Sequence, residues 1–496
     1  MRRKIFQNTI TSLLLQVVTV ICGFVLPRLI LEHYGSEVNG LTQSIKQFLG
    51  MISFLELGIG QVLQSNLYRP LAQRDNQQIS KVLKSGAAFF RKIAYALIAY
   101  VVILLFVYPL LIDEAFDWMY TVTLIVAISI GNLAQYFYGI VDTLLLNADQ
   151  KGYVHHISQI VSVLLSTVLS VVLMKAGYSI HIVKLGASLV FLCRPLAVRC
   201  YIKKHYSINR KITYSGEPIK QKWNGIAQHI SAVVLDNTDT VVLTLLSTLS
   251  NVSIYSVYFL VISGIKQFYE AATAGIQAAV GNLWAKQEKE KLNATFMSIE
   301  LILHFGVVFL FCCIGVLIVP FVQVYTKGLT DANYTQPLFA AVLTLAYGVR
   351  CLRTPYNILI LAGGHYKQTQ KCHITAAVLN LTISAIVVSV WGLVGVAIGT
   401  LVAMVYQTSW MMIYNTKNLL CWPLRRVLKQ VAVDILTAGT ICAATSWIEL
   451  GKVSYWGWFC MAVPVALIAL AITAIMVLIF YGKDVKRLIQ AVSRKK

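Results

Sequence analysis

Apolar residues follow one another in runs of helix length along almost the whole chain, separated by short polar or basic segments. A hydrocarbon layer takes about 20 apolar helical residues per crossing. On that ruler the runs near 9–31, 40–66, 93–112, 119–146, 153–174, 180–202, 223–248, 252–282, 296–324, 337–362, 372–391, 393–416, 431–449 and 457–481 predict fourteen transmembrane helices. The narrowest separation is the Trp391-Gly392 turn. The first run follows a basic start but carries Gln16, Pro27 and Arg28 and no small-residue cleavage site, so it is expected to persist as a helix.

Composition agrees with this pattern. Of 496 residues, 57% are hydrophobic and only 12% charged, with a mean hydropathy of +0.70, where soluble proteins carry roughly twice that charge. A water-soluble fold is excluded and an all-α polytopic membrane protein is expected. The net charge of +22 does not point to nucleic acid, because the basic clusters Arg2-Arg3-Lys4, Lys203-Lys204, Arg425-Arg426 and Arg494-Lys495-Lys496 sit between apolar runs as cytoplasmic loops do. Most of the 42 Lys and Arg fall inside when the amino terminus is cytoplasmic. An even number of crossings then places both termini inside. The outer loops are short, Tyr325 to Gln336 being among the longest, and cannot form a separate domain. The ten cysteines lie mostly within apolar runs with no metal-ligand spacing, and are expected to be small packing residues.

Secondary transporters are commonly built from two related bundles. Ile45-Lys46-Gln47-Phe48 in the second span recurs as Ile265-Lys266-Gln267-Phe268 in the eighth, and the same offset superposes helix number and direction. The expected organisation is an N-lobe of spans 1–6 (1–202), a basic cytoplasmic connector (203–222), a C-lobe of spans 7–12 (223–416), and spans 13 and 14 with a basic tail (417–496).

Charged side chains inside a span cost several kcal/mol unless they face a partner or a wet cavity. Six basic residues qualify, Arg28, Lys46, Arg194, Lys266, Arg350 and Arg353, against the acids Glu56, Asp142, Asp236, Asp239 and Glu270. Arg350 and Arg353 share a helix face with Tyr347, Thr354 and Asn357, on a segment that Pro355 would kink. Each has a purely structural alternative. Arg28 and Arg194 could snorkel to an interface, Lys266 could be neutralised by Glu270 one turn away, Asp236 and Asp239 could bond to neighbouring Asn and Thr, and Arg350 with Arg353 could lock spans together through carbonyls. The balance is cationic, which suits an anionic cargo such as a phosphate. His155, His156 and His365, near cytoplasmic ends, are expected to be solvated.

The stretches Pro27-Arg28-Leu29, Tyr34-Gly35-Ser36-Glu37-Val38-Asn39-Gly40-Leu41, Glu56 to Gly60, Leu67 to Leu71, Asp236 to Leu243, Val252 to Tyr255 and Gly363 to Gln370 resemble the Wzx-like oligosaccharide flippases of the multidrug/oligosaccharidyl-lipid/polysaccharide (MOP) exporter superfamily. The resemblance implies a pair of six-helix lobes that moves an undecaprenyl-diphosphate-linked oligosaccharide to the outer leaflet by alternating access. It also implies a bacterial cytoplasmic membrane location and, as working partners, membrane lipid, a polysaccharide polymerase and glycosyltransferases. In the related lipid II flippases basic residues on spans 1, 2 and 8 line the central cavity; Arg28, Lys46 and Lys266 occupy those spans here. The expected binding set for the diphosphate is Arg28, Lys46, Lys266, Arg350 and Arg353. Glu56, Asp236, Asp239 and Glu270 are the candidates for coupling to a proton or sodium ion, and no other cofactor is expected.

Two other classes stay open on sequence. A multidrug/cation antiporter of the same superfamily would need carboxylates for a cationic drug, and a membrane glycosyltransferase or polymerase would need acids on a sizeable outer loop, where Asp113, Glu114, Asp117 and Asp331 sit on short ones. No phosphate-binding G-x-x-x-x-G-K-[ST] or zinc H-E-x-x-H motif occurs, and a non-enzyme is expected.

Overall fold

Gly35 and Gly392 break the helical path between the first and second and between the eleventh and twelfth apolar runs. Each holds a positive φ (83° and 51°) inside what would otherwise be one uninterrupted helix, a conformation open to glycine and strained for other residues. The computed structural model describes residues 2–56, 59–112, 116–213, 226–420 and 422–493. The expectations for Asp113, Glu114, the 214–222 end of the connector and the tail Arg494-Lys495-Lys496 lie outside them. Within the described residues the regular structure is helical, with no strand. The chain divides into two compact units, Met1–Ser253 and Ile254–Lys496.

The first unit contains α1 (Arg2–Gly50), a 3-10 turn (Met51–Glu56), α2 (Ile59–Gln73), α3 (Asn76–Leu111), α4 (Trp118–Ala134), a π-turn (Gln135–Gly139), α5 (Ile140–Ala148), α6 (Gly152–Lys175), α7 (Ile180–His205) and α8 (Ile226–Leu246). The first arm of α1 runs parallel to α6, tied by Thr11 to His156 at 3.1 Å at one end and by the Tyr34 hydroxyl donating to the Tyr178 carbonyl at 2.5 Å at the other. The second arm runs antiparallel to α8, through Ser44 to Thr244 and Gln47 to Asn237, both at 2.7 Å, and Asn39 near its start donates to Ser253 near the start of the next helix at 2.8 Å. Around these contacts lies an apolar core that includes Leu41, Ile45, Leu49, Leu63, Phe90, Leu97, Tyr108 and Leu145.

The second unit begins within α9 (Leu249–Ala285) and continues with α10 (Lys289–Tyr325), α11 (Pro337–Leu352), α12 (Thr354–Ala362), α13 (Tyr366–Asn415), a π-turn (Thr416–Leu420), α14 (Leu424–Thr445) and α15 (Tyr455–Ser493). α13 is a hairpin. Gln407 bonds His373 at 3.0 Å, Asn380 bonds Thr400 at 3.0 Å, and Ser384 donates to the Val396 carbonyl at 3.3 Å, three pairs all centred on residue 390. Gly395 and Gly399 let the two arms approach: a Cβ at Gly399 would stand 2.7 Å from the Ser384 nitrogen and 3.0 Å from its Cα. The break that Pro355 predicts falls between α11 and α12, with Arg353 capping both.

Eleven helices are long and apolar enough to cross a membrane. The first of them holds two arms parted at Gly35, Tyr366–Leu420 holds two parted at Gly392, and the broken Pro337–Ala362 segment supplies one more. Together these match the fourteen spans read from the hydropathy pattern. The chain is a multi-pass, all-α membrane protein.

Candidate functional site

In the first unit the basic candidates stand on α1. Its second arm is fixed in rotation: the Tyr108 hydroxyl of α3 donates to Ser44 Oγ at 2.6 Å and the Tyr100 hydroxyl to the Phe48 carbonyl at 2.9 Å, while Ser44 and Gln47 bond α8. Lys46 stands two residues from both Ser44 and Phe48, on the opposite side of the helix. It is accordingly exposed although Ile45, Phe48 and Leu49 are buried. Lys184, one turn into α7, lies within electrostatic range of Lys46. No carboxylate pairs with either ammonium among the described residues. Lys184 falls within the apolar run 180–202 but is not among the basic candidates read from sequence, because it stands near the predicted outer end of that run. Arg28, on the first arm, is half-buried.

The second unit gathers three of its basic candidates with one acid. Lys266, Glu270, Arg350 and Arg353 all act electrostatically on the Cys351 thiol. Lys266 Nζ and Glu270 Oε1 are 3.9 Å apart. The Arg350 guanidinium lies 5.8 Å from the centroid of the buried Tyr347 ring, and the Tyr269 hydroxyl ties α9 to the Cys351 carbonyl at 3.1 Å.

The acidic candidates are not brought together. Glu56 accepts from the Tyr136 hydroxyl at 2.6 Å in a cavity of about 380 Å³ that Phe90, Asn132 and Gln135 also line. A π-turn, a feature common at functional sites, spans Gln135–Gly139 and so carries both Gln135 and Tyr136. Asp239 is buried and Asp236 half-buried on α8, and the Asp236 carbonyl accepts from Gln47 at 3.0 Å. Asp142 is bonded at 2.8 and 3.0 Å by Arg210 of the connector.

Several expectations need correction. Arg194 has a side-chain partner, its Nη2 lying 3.1 Å from His155 Nε2. His155, His156 and His365 are partly buried rather than fully solvated, and are bonded to Thr143 and Arg194, to Thr11, and to Tyr414 respectively. The Ile-Lys-Gln-Phe copies occupy unlike surroundings, Phe48 being 8% and Phe268 62% exposed. Cys193, Cys200, Cys442 and Cys460 are exposed rather than packed in a core.

The reading from sequence also missed a buried cluster in the second unit, made by Glu300 and His304 on α10, Tyr356 on α12 and Asp434 on α14. The four-residue spacing of Glu300 and His304 on one helix face was its available signal.

The architecture defines a polytopic helical protein whose fold is shared with several solved membrane-protein structures. A lipid II flippase in its inward closed conformation superposes with a TM-score of 0.70 at 15% identity, covering 96% of this chain and 99% of that one. An inward-facing multidrug resistance MATE transporter of the MOP superfamily aligns with a TM-score of 0.55 at 15% identity, over 81% of this chain and 95% of that one. A MOP superfamily transporter from Pyrococcus furiosus, described as having a binding pocket of reversed polarity, gives 0.57 at 15% identity over 83% and 95%. No protein-family model and no curated protein sequence matches the chain.

Proposed function

We propose that the chain is a flippase that carries an undecaprenyl-diphosphate-linked oligosaccharide from the cytoplasmic to the outer leaflet by alternating access, for surface polysaccharide assembly. The observation that carries this reading is the Lys46–Lys184 pair. Two ammonium groups inside the spans lie within electrostatic range of each other and have no carboxylate partner among the described residues, and a diphosphate would relieve their repulsion. Arg28 adds positive charge in the first unit; Lys266, Arg350 and Arg353 supply it in the second, where their three charges exceed that of Glu270. The polyprenyl tail stays in lipid, and the protein lowers the cost of moving the polar head past hydrocarbon.

On this reading the protein sits in a bacterial cytoplasmic membrane with both termini inside, is not an enzyme, and works beside glycosyltransferases and a polymerase. Glu56, Asp236, Asp239 and Glu270 are available to a coupling proton or sodium ion. A cation antiporter is the second reading, favoured by the Glu56 cavity, where a carboxylate, two amides and a phenol converge. The deciding experiment is export in cells by the Lys46→Ala, Lys266→Ala double variant, scored beside protein level and drug resistance. Lost export at normal protein level supports the flippase; full export defeats the site, and resistance that depends on Glu56 turns the assignment to the antiporter.

A further inference from the structure

The second unit buries ionisable side chains that the basic cluster does not use. Glu300, His304 and Tyr356 are at most 3% exposed and Asp434 is 5% exposed, although Asp434 stands halfway along a 22-residue span. They form one chain of contacts. His304 Nδ1 is 2.6 Å from Asp434 Oδ2, His304 Nε2 is 3.1 Å from the Tyr356 hydroxyl, and that hydroxyl donates to Glu300 Oε1 at 2.6 Å. Gln430 donates to the other Asp434 oxygen at 3.0 Å. Arg426, partly exposed in the first turn of α14 and stacked on Trp422, lies 3.6 Å from Glu300 Oε2.

Counting donors fixes the proton inventory. A tyrosine hydroxyl has one hydrogen, so it cannot donate to Glu300 and to a bare imidazole nitrogen at once. With both carboxylates ionised and a neutral ring whose Nδ1 hydrogen points at Asp434, one of those two acceptors is left unsatisfied. With an imidazolium every contact is made: Nδ1–H to Asp434, Nε2–H to the Tyr356 oxygen, and Tyr356 O–H to Glu300. Charge counting agrees, since two carboxylates and Arg426 leave one negative charge that a proton on His304 cancels.

The surrounding helices do not alter the count. α15 brings Tyr481, with Asp484 near it, and Lys429 of α14 stands over that ring at 4.7 Å, so one further charge of each sign lies at the same end. α13 offers the neutral Asn415, bonded to the Tyr356 carbonyl. The titratable groups of α11, Tyr347, Arg350 and Cys351, are engaged in the basic cluster around Cys351. Nor is this a metal centre: among the described residues no three His, Cys, Asp or Glu groups are placed to hold an ion.

We infer that His304, clamped between Asp434 and the Tyr356–Glu300 pair, is a proton-binding site that fastens α14 to α10 and α12 when loaded, and that transport by this protein is coupled to protons through it. Arg426 and Glu300 form the open end of the wire, and Asp434 its closed end. Releasing the proton breaks the donor chain at Tyr356 and leaves a buried negative charge, so occupancy biases the packing of α14. The binding step stands on the geometry; the coupling step rests on the transport reading above.

The test has two arms. In nanodiscs of the full chain labelled with 15N-histidine, the His304 ring, assigned by its loss in His304→Gln, is expected to be doubly protonated at about pH 7 and to turn neutral in Asp434→Asn. A neutral His304 ring in the unaltered protein throughout about pH 5 to 8 overturns the proton site. If His304→Gln does not fold, the signal that changes between the unaltered protein and Asp434→Asn makes the assignment. In liposomes loaded with a fluorescent polyprenyl-diphosphate oligosaccharide, an imposed pH gradient is expected to speed flipping and Asp434→Asn to abolish that acceleration. Flipping that proceeds but ignores the pH gradient overturns the coupling. Absence of flipping under pH, sodium and electrical gradients alike defeats the flippase reading and, with it, the coupling, while the histidine spectra still decide the proton site.

Discussion

Arg210→Ala isolates the contact that fastens the connector to the first unit. Asp142 is 2% exposed inside α5, and Arg210 reaches both its oxygens from the segment after α7. Removing one partner of a buried ion pair costs about 3–5 kcal/mol because the other charge is stranded. Two features reduce that here. Arg210 is 41% exposed, so part of its charge is already screened, and Arg199 remains within electrostatic range of Asp142. We therefore expect Arg210→Ala to destabilise by about 2 kcal/mol. Asp142→Asn should cost about 1 kcal/mol, since the cation it leaves can turn to solvent. The double variant should be no worse than Asp142→Asn alone, because the stranded carboxylate is gone. Thermal unfolding of the detergent-purified proteins measures all three. Unchanged stability in Arg210→Ala, or losses that simply add in the double variant, would refute the reasoning.

Other perturbations separate the structural roles. Gly399→Leu should cost about 3 kcal/mol by forcing the α13 arms apart at Ser384, read as a lowered unfolding temperature; a tolerated leucine would contradict the hairpin. Phe48→Ala should cost about 3 kcal/mol, as it empties a site packed edge-on to Tyr108, whereas Phe268→Ala should stay within about 0.5 kcal/mol. Equal effects would mean that the two tetrapeptides share an environment after all. Lys184→Ala should lower export at least about tenfold with Lys184→Arg retaining most of it, because the role assigned is a cation facing phosphate; surface polysaccharide per cell at matched protein level is the readout.

Hydropathy made the crossings legible because each span must satisfy lipid by itself, without help from distant sequence. That is why Gly392 and Pro355 mark breaks that the structure contains. The basic residues were legible for a related reason: a charge in an apolar run is conspicuous, as Lys46, Lys266, Arg350 and Arg353 are. Residues near the ends of runs were not. Glu300 and Asp434 fall where an apolar window begins, and α10 and α14 start seven residues earlier than those windows do. Their depth comes from helix ends that hydropathy does not register. The pairings of Asp142 with Arg210 and of Arg194 with His155 join residues 68 and 39 positions apart, and no local pattern encodes such partners.

The hairpin at Gly392 also bears on how the polypeptide enters the bilayer during synthesis. His373, Asn380 and Ser384 on its first arm meet Gln407, Thr400 and the Val396 carbonyl on the second, so an arm emerging alone would bring polar groups into hydrocarbon without those companions. The two arms are therefore best delivered to lipid as a pair. A ribosome stalled between them would leave the nascent first arm reluctant to quit the insertion machinery until its mate arrives.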